Sequence, residues 1–210
     1  MNTEESSKAY PFLERAEQVF GLATKLTGQL ISFSPGGNLQ PIDIHPANPL
    51  KEEALSTLAG SGLTAEFDLA ENLWPITVDP SQFRNVIKHM ALNALEAMPL
   101  QSGGTLLIKA ANESLPENHA KHPTLPPGCY VKISIQDYGC GISKENLPRI
   151  FDPYFSTKQL GAQKGMGLGL TLCDSIIRKH GGAITVESEP GKGTTFDIYL
   201  PAAAEKAESK

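Results

Sequence analysis

In the stretch His89-Met90-Ala91-Leu92-Asn93-Ala94-Leu95-Glu96-Ala97, polar side chains interrupt an apolar run at positions 89, 93 and 96. At helical pitch these three share one face. Asparagine is a weak interior helix residue because its amide competes for backbone groups, so Asn93 needs a partner. A Mg²⁺ ion already held by phosphates accepts one such carbonyl oxygen and fills its other positions with phosphate and water oxygens. Taken alone, the cluster also reads as a solvated polar stripe.

Three further clusters follow along the chain. Asp137-Tyr138-Gly139-Cys140-Gly141 puts a carboxylate at the end of an alternating segment and follows it with two glycines. A carboxylate ionised near neutrality accepts a hydrogen bond from an exocyclic amine such as that of adenine, and the glycines let backbone approach a ligand. Many ordinary turns share this pattern. The third cluster is Ile150-Phe151-Asp152-Pro153-Tyr154-Phe155-Ser156-Thr157-Lys158. Its aromatics either anchor a mobile loop against the domain or pack in the core, while Lys158 is placed to reach a phosphate. The fourth, Gly165-Met166-Gly167-Leu168-Gly169-Leu170, leads straight into a helical segment. Closely spaced glycines there leave backbone N–H groups and the positive end of the helix dipole open to an anion. This is the strongest phosphate signal in the chain, and it is of neither common kind. No G-x-x-x-x-G-K-[ST] occurs, and neither glycine cluster spells G-x-G-x-x-G after a strand in an early βαβ unit.

These side chains need helices and strands to hold them, and hydrophobic periodicity locates those. Asp79-Pro80 predicts a helix start, and Phe83, Val86, Ile87, Met90, Ala94, Ala97 and Met98 give that helix a broad apolar face. Strands are predicted at about 104–110 and 130–136, with a proline-rich surface loop over 112–128 between them. A helix over about 168–180 stops at Gly181-Gly182, and a hairpin of 183–188 and 194–200 closes the domain. Upstream, a helix at about 49–59 precedes extended stretches at 64–69 and 74–78. Earlier still, Phe12, Ala16, Val19, Ala23, Leu26, Leu30 and Phe33 recur at alternating steps of four and three. That heptad seam predicts a helix packed lengthwise in a bundle, or an amphipathic helix lying on its own domain, ended by Ser34-Pro35-Gly36-Gly37.

Composition bounds the remaining classes. A chain of 210 residues makes one domain with an appendage. The net charge, 18 − 23 = −5, provides no chain-wide basic field for a nucleic-acid backbone or an anionic membrane. No stretch reaches the roughly 18 to 20 apolar residues of a membrane span, and the N-terminus lacks a secretory signal's apolar core. Cys129, Cys140 and Cys173 form no C-x-x-C pair and are odd in number, so reduced thiols in a cytoplasmic compartment are expected.

Taken in order, HMALNALEAMP, DYGCGI, IFDPYFSTK, GMGLGL and GKGTTFDIYLP resemble the N, first glycine, F, second glycine and closing boxes of the sensor histidine kinase catalytic domain. That domain belongs to the ATPase superfamily of gyrase, Hsp90, histidine kinases and MutL. The resemblance, over about 42–201, implies an α/β (α+β) two-layer sandwich of the Bergerat type. Its mixed, mostly antiparallel sheet is backed by helices, with one long bundle helix in front. ATP and Mg²⁺ are the implied cofactors, beneath a lid at about 143–165. By the resemblance Asn93 is the Mg²⁺ ligand; Asn93 and His89 are the candidate catalytic residues. Asp137 anchors adenine on the turn of Gly139 and Gly141, and Thr194 gives a second adenine contact, often through water. Gly165, Gly167, Leu168 and Gly169 cradle the triphosphate, and Lys158 contacts a phosphate. His89 departs from the pattern, since kinases usually open this box with asparagine and gyrase-like members carry a general-base glutamate. It either orients the phosphates or the attacking group as donor or base, or is a tolerated substitute at the edge of the site.

Upstream, QVFGLATKLTGQLISFSPGG is similar to the second helix of the kinase dimerisation and phosphoacceptor hairpin, in agreement with the heptad seam. None of His45, His89, His119, His122 and His180 precedes Asp or Glu, so the helix bearing the phosphorylated histidine is expected outside this sequence. The chain is then expected to be the C-terminal portion of a longer sensor kinase. The domains expected are the hairpin helix at 1–37, the catalytic domain at 38–201 and a disordered tail at 202–210. The implied activity is transfer of the γ-phosphoryl group of ATP to a histidine on a phosphoacceptor helix of the same or a partner chain. A response regulator receiver domain takes it onward. The helix at 12–33 is a candidate homodimer seam, and no nucleic-acid or membrane contact is expected. Two competing readings are an ATP-hydrolysing clamp of the same superfamily and a nucleotide-binding regulatory module without phosphotransfer. Against the first stand the missing glutamate at position 89 and the F box; against the second, the presence of Asn93, Asp137 and all three glycines of the second box.

Overall fold

The computed structural model describes residues 13, 39–98, 103–117, 125–157 and 167–203. The chain divides into two compact units, Met1–Asn38 and Leu39–Lys210, and the elements below belong to the second. The helix expected at 12–33, apart from Leu13, lies outside the described residues, as do Lys158 and Gly165.

The apolar-face helix predicted from Asp79-Pro80 forms as α2, Pro80–Ala97. Asp79 caps it: Oδ1 accepts from the backbone N–H groups of Ser81 at 2.9 Å and Gln82 at 3.2 Å, while Pro80 occupies a first-turn position where no N–H is needed. Phe83, Val86, Ile87, Met90, Ala91 and Ala94 are buried. Before α2 come β1 (Ile42–Ile44), α1 (Ala47–Leu58), β2 (Thr64–Leu69) and β3 (Ile76–Val78); after it come β4 (Thr105–Leu115), β5 (Gly128–Asp137), a 3₁₀ turn (Leu147–Arg149), α3 (Gly169–Lys179), β6 (Ala183–Glu189) and β7 (Gly193–Pro201).

Five strands form one sheet in the order β2-β4-β5-β7-β6, parallel between β2 and β4 and antiparallel elsewhere. The expected mixed, mostly antiparallel α/β sandwich is therefore the fold. Side chains alternate across the sheet. Leu106, Ile108, Ala110, Ile133, Ile135, Phe196 and Ile198 fall on one buried face, and α1, α2 and α3 pack in sequence beside it. The other face carries a polar rung in which Lys132 Nζ lies 2.8 Å from Asp197 Oδ2 and Ser134 Oγ donates to Asp197 Oδ1 at 2.5 Å. Its far end holds a small second core of Leu115, Leu125, Tyr130, Ala183 and Tyr199.

Two elements differ from the sequence reading. β4 runs on to Leu115, through residues expected to be loop, because Ala111, Asn112 and Glu113 pair with Lys132, Val131 and Tyr130 of β5 and Leu115 buries in that second core. The strand β1, between Pro41 and Pro46, is too short for periodicity to reveal. It is held by antiparallel pairing with β3 and by Thr77 Oγ1 donating to Asp43 Oδ1 at 2.6 Å. The first two residues of the expected disordered tail are ordered instead: Ala202 bridges to Ile76, and Ala203 is buried, its N–H donating to Pro75 O at 2.8 Å.

Candidate functional site

Asp137 ends β5 on the helix side of the sheet and is only 4% exposed. Burial pushes its carboxyl up from the ordinary aspartate range, while the N–H groups of Gly139 and Thr194 pull it the other way. The Gly139 bond to Oδ1 measures 2.9 Å. The turn beyond it is pressed between neighbours. A Cβ at Gly139 would lie 2.5 Å from the Ala97 carbonyl oxygen, and one at Gly141 (φ +67°) would collide with the Glu189 carbonyl. Cys140 N–H donates to Ala97 O at 3.0 Å, and Cys140 O accepts from Gly191 N–H at 2.8 Å. The carboxylate is thus seated between the C-terminus of α2 and the β6–β7 turn.

The second glycine cluster reaches the same helix higher up. A Cβ at Gly169 would stand 3.4 Å from His89 Nδ1, so the start of α3 abuts the His89 ring. α3 begins after Leu168 with no side-chain cap and no acidic residue in its first turn, so no carboxylate of its own opposes an anion at its amide end. Leu168 itself is buried, so only its backbone can serve a ligand. Gly167 adopts φ +65°, where a Cβ would clash with the backbone of Tyr154 and Phe155, and its carbonyl accepts from Tyr154 N–H at 3.0 Å. Ala97 and His89 are eight residues apart, about 12 Å along the helix. Asn93 lies halfway between the two glycine contacts.

Asn93 is half-buried, and its Nδ2 is buried without a hydrogen-bond partner. Turning the amide by 180° exchanges that nitrogen for the carbonyl oxygen. A buried amide terminus without a hydrogen-bond partner fits an outside ligand, and the amide oxygen is the hard donor that Mg²⁺ takes. Among the described residues no group of three or more His, Cys, Asp or Glu could form an all-protein metal cage.

In the aromatic cluster, Tyr154 fits neither sequence expectation. Ile150 is the buried residue, 6% exposed, whereas Tyr154 is 69% exposed with φ +65°. Phe151 and Phe155 are half-buried, and the Arg149 guanidinium sits 4.6 Å from the Phe155 ring centroid. Thr171 Oγ1 donates to Phe151 O at 2.9 Å, tying this loop to α3. The reason is the turn: Asp152-Pro153 reverses the chain, and the left-handed residue after it swings the tyrosine outward.

Ser188 joins the site through strand register. Thr194, 4% exposed, pairs with Asp137 across β5 and β7, and Ser188 pairs with Thr194 across β7 and β6. Ser188 Oγ lies 2.9 Å from Thr194 Oγ1, accepts from Ile142 N–H at 2.8 Å and donates to Gly193 O at 2.9 Å. A serine between two glutamates in an alternating strand carries no local signal of such a role.

Residues 78–204 match the family described as histidine kinase-, DNA gyrase B-, and HSP90-like ATPase. The chain is 36% identical over 203 residues to a sensor kinase CckA of Brucella abortus, covering 95% of this chain and 21% of the relative. It is 35% identical to the sensor histidine kinase ZraS of Escherichia coli, covering 78% and 31%. The chain thus spans about a fifth to a third of these relatives. Among solved structures, full-length ShkA in complex with AMPPNP superposes with a TM-score of 0.70 at 20% identity, covering 97% of this chain and 40% of that one. The catalytic domain of histidine kinase ThkA superposes at 0.60 and 23%, covering 78% and 96%. At these identities the likeness is one of fold.

Proposed function

Because the chain belongs to the histidine kinase-, DNA gyrase B-, and HSP90-like ATPase family, we propose that it is the ATP-binding catalytic part of a sensor histidine kinase. It transfers the γ-phosphoryl group of ATP to a histidine on a phosphoacceptor helix, for relay to a response regulator. Residues 38–201 are the catalytic domain, and the heptad-patterned sequence at 12–33 corresponds to the second helix of the dimerisation and phosphoacceptor hairpin.

The observation that carries this reading is the spacing along α2. Its C-terminal end holds the Asp137–Gly139 turn, and eight residues earlier His89 meets the open N-terminus of α3. A buried hydrogen-bond acceptor beside one helix position and a backbone anion site beside another, the two positions being about 12 Å apart along α2, suit an extended nucleoside triphosphate. In this arrangement Asp137 accepts from the adenine amine, and Thr194 supplies a second contact at the base. The amides of Gly165, Gly167, Leu168 and Gly169 hold the phosphates, and Lys158 adds a charged contact. Asn93 offers its carbonyl to Mg²⁺, which when bound would offset charge on the triphosphate oxygens. His89, beside the start of α3, orients the phosphates.

The test supplies the chain with γ-labelled ATP, Mg²⁺ and a purified phosphoacceptor hairpin from a similar sensor kinase. Acid-labile label on the hairpin, abolished by Asp137→Ala and slowed by His89→Ala at nearly unchanged nucleotide affinity, is the expected result. Steady ATP hydrolysis with no label on the hairpin would instead support a conformational clamp.

A further inference from the structure

We propose that Ser188 is a positioning residue that sets base selectivity by fixing the direction of the Thr194 hydroxyl proton. The inference rests on the reading that Asp137 and Thr194 face the base, and goes beyond it to a residue that touches no nucleotide.

Proton counting at Ser188 gives the direction. A serine hydroxyl has one proton and two acceptor positions. Gly193 O cannot donate, so the 2.9 Å bond between them uses the serine proton. Ile142 N–H cannot accept, so its 2.8 Å bond takes one serine lone pair. The remaining bond, 2.9 Å to Thr194 Oγ1, can only be donated by Thr194 into the second lone pair. Ser188 is then saturated, and the Thr194 hydroxyl has spent its only proton away from the base.

Thr194 therefore presents acceptor positions alone, next to the Asp137 carboxylate, which also only accepts when ionised. A row of acceptors favours a purine whose six-position carries an amine, directly or through a water that donates to Thr194. A six-oxo purine meets it acceptor to acceptor, a mismatch that costs affinity because buried polar groups are left unpaired. Without the Ser188 hydroxyl, Thr194 becomes free to rotate and donate to an oxo group, and the discrimination weakens. The same serine, through Ile142, ties the loop after Gly141 to β6, so the base end and the start of the segment that follows it share one anchor.

The experiment measures displacement of a fluorescent trinitrophenyl-ATP probe by ATP and by GTP. In Ser188→Ala the ratio of GTP to ATP dissociation constants should fall about tenfold, the size expected for one reversed hydrogen bond. Ser188→Thr, which keeps a hydroxyl, should restore it. In a Thr194→Val background, Ser188→Ala should leave the ratio within about twofold, because the hydroxyl through which it acts is gone. A purely structural serine would weaken both nucleotides equally, so an unchanged ratio in Ser188→Ala overturns the proposal. So does an equal shift in the Thr194→Val background. Should Ser188→Ala lose its cooperative melt, Ser188→Cys keeps the volume with only a weak donor and acceptor, and carries the same expectation. Asp137→Asn separates the two levels. If it leaves both affinities as in the parent, the base-site reading falls and takes this proposal with it. If it weakens ATP while Ser188→Ala leaves the ratio unchanged, only the assignment of Ser188 falls.

Discussion

Replacing Gly139 by alanine should loosen the domain at the seam between α2 and β5. The added Cβ would stand 2.5 Å from Ala97 O, 2.7 Å from Ala97 C and 2.8 Å from Ala97 Cβ. Ordinary contact begins at 3.4 Å, so a shift of 3.4 − 2.5 = 0.9 Å is required against helix backbone and not against a flexible side chain. Overpacking of that kind costs about 1–3 kcal/mol. The displaced helix end also endangers the 3.0 Å bond from Cys140 N–H to Ala97 O, worth about 1 kcal/mol. Together the expected loss is about 2–4 kcal/mol, or about 5–15 °C in Tm for a domain of this size. The internal control is Gly128, in β5, where a Cβ would meet Tyr130 Cε2 at an ordinary 3.6 Å. Gly128→Ala should lie within about 0.5 kcal/mol of the parent. Urea denaturation and nucleotide affinity measured on both variants decide the matter. Equal midpoints for the two, or full ATP affinity in a destabilised Gly139→Ala, would refute the argument that close approach at this glycine holds the base end together.

Three other outcomes follow from the site's polar groups. A carboxyl with a raised folded-state pKa binds its proton more tightly when folded, so Asp137 favours folding at acid pH. That contribution is lost as pH rises from the ordinary aspartate value of about 3.9 through the raised one. Asp137→Asn should therefore be at least as stable as the parent at pH 7 in urea denaturation, with a flatter acid-to-neutral profile, while binding ATP more weakly. Asn93→Ala removes an amide whose buried nitrogen has no partner and should cost less than about 1 kcal/mol of stability. Its ATP affinity should become indifferent to Mg²⁺ against EDTA, as read by probe displacement. His180 accepts Asp79 N–H at Nε2, 3.0 Å, so its other nitrogen carries the proton and donates to Ile176 O at 2.8 Å. His180→Ala strands the Asp79 amide at the start of α2 and should cost about 1–2 kcal/mol by denaturant midpoint.

The first two of these share a cause. Asp137 and Asn93 are poorly accommodated by the fold itself: one is a carboxylate in a desolvated position, the other an amide with an unanswered nitrogen. Groups poorly satisfied by the folded state and set along the C-terminal half of one helix are placed for a ligand that completes them. Glycine works in the opposite sense at Gly139, Gly141 and Gly167, where close backbone approach makes the site narrow enough to be completed.

Much of this was legible in the sequence because it is local. The Asp79-Pro80 start and apolar face of α2, the alternation of β5, the β6–β7 hairpin and the uncapped glycine entry to α3 each follow from residues within one or two turns of one another. So did the residue types at both ends of the site. The extension of β4 to Leu115 did not, because a polar strand becomes a strand only when β5 lies beside it. Nor did the outward turn of Tyr154, which depends on a left-handed backbone facing Gly167. Ser188 is the clearest case. Its neighbours in the chain are unremarked glutamates, and its meaning comes from Ile142, Gly193 and Thr194, brought to it by strand register and loop packing. Periodicity specifies which face a residue presents, since that is set by bond geometry along the chain. Which atoms meet across that face is set by cross-strand pairing and helix packing, and those belong to the folded molecule alone.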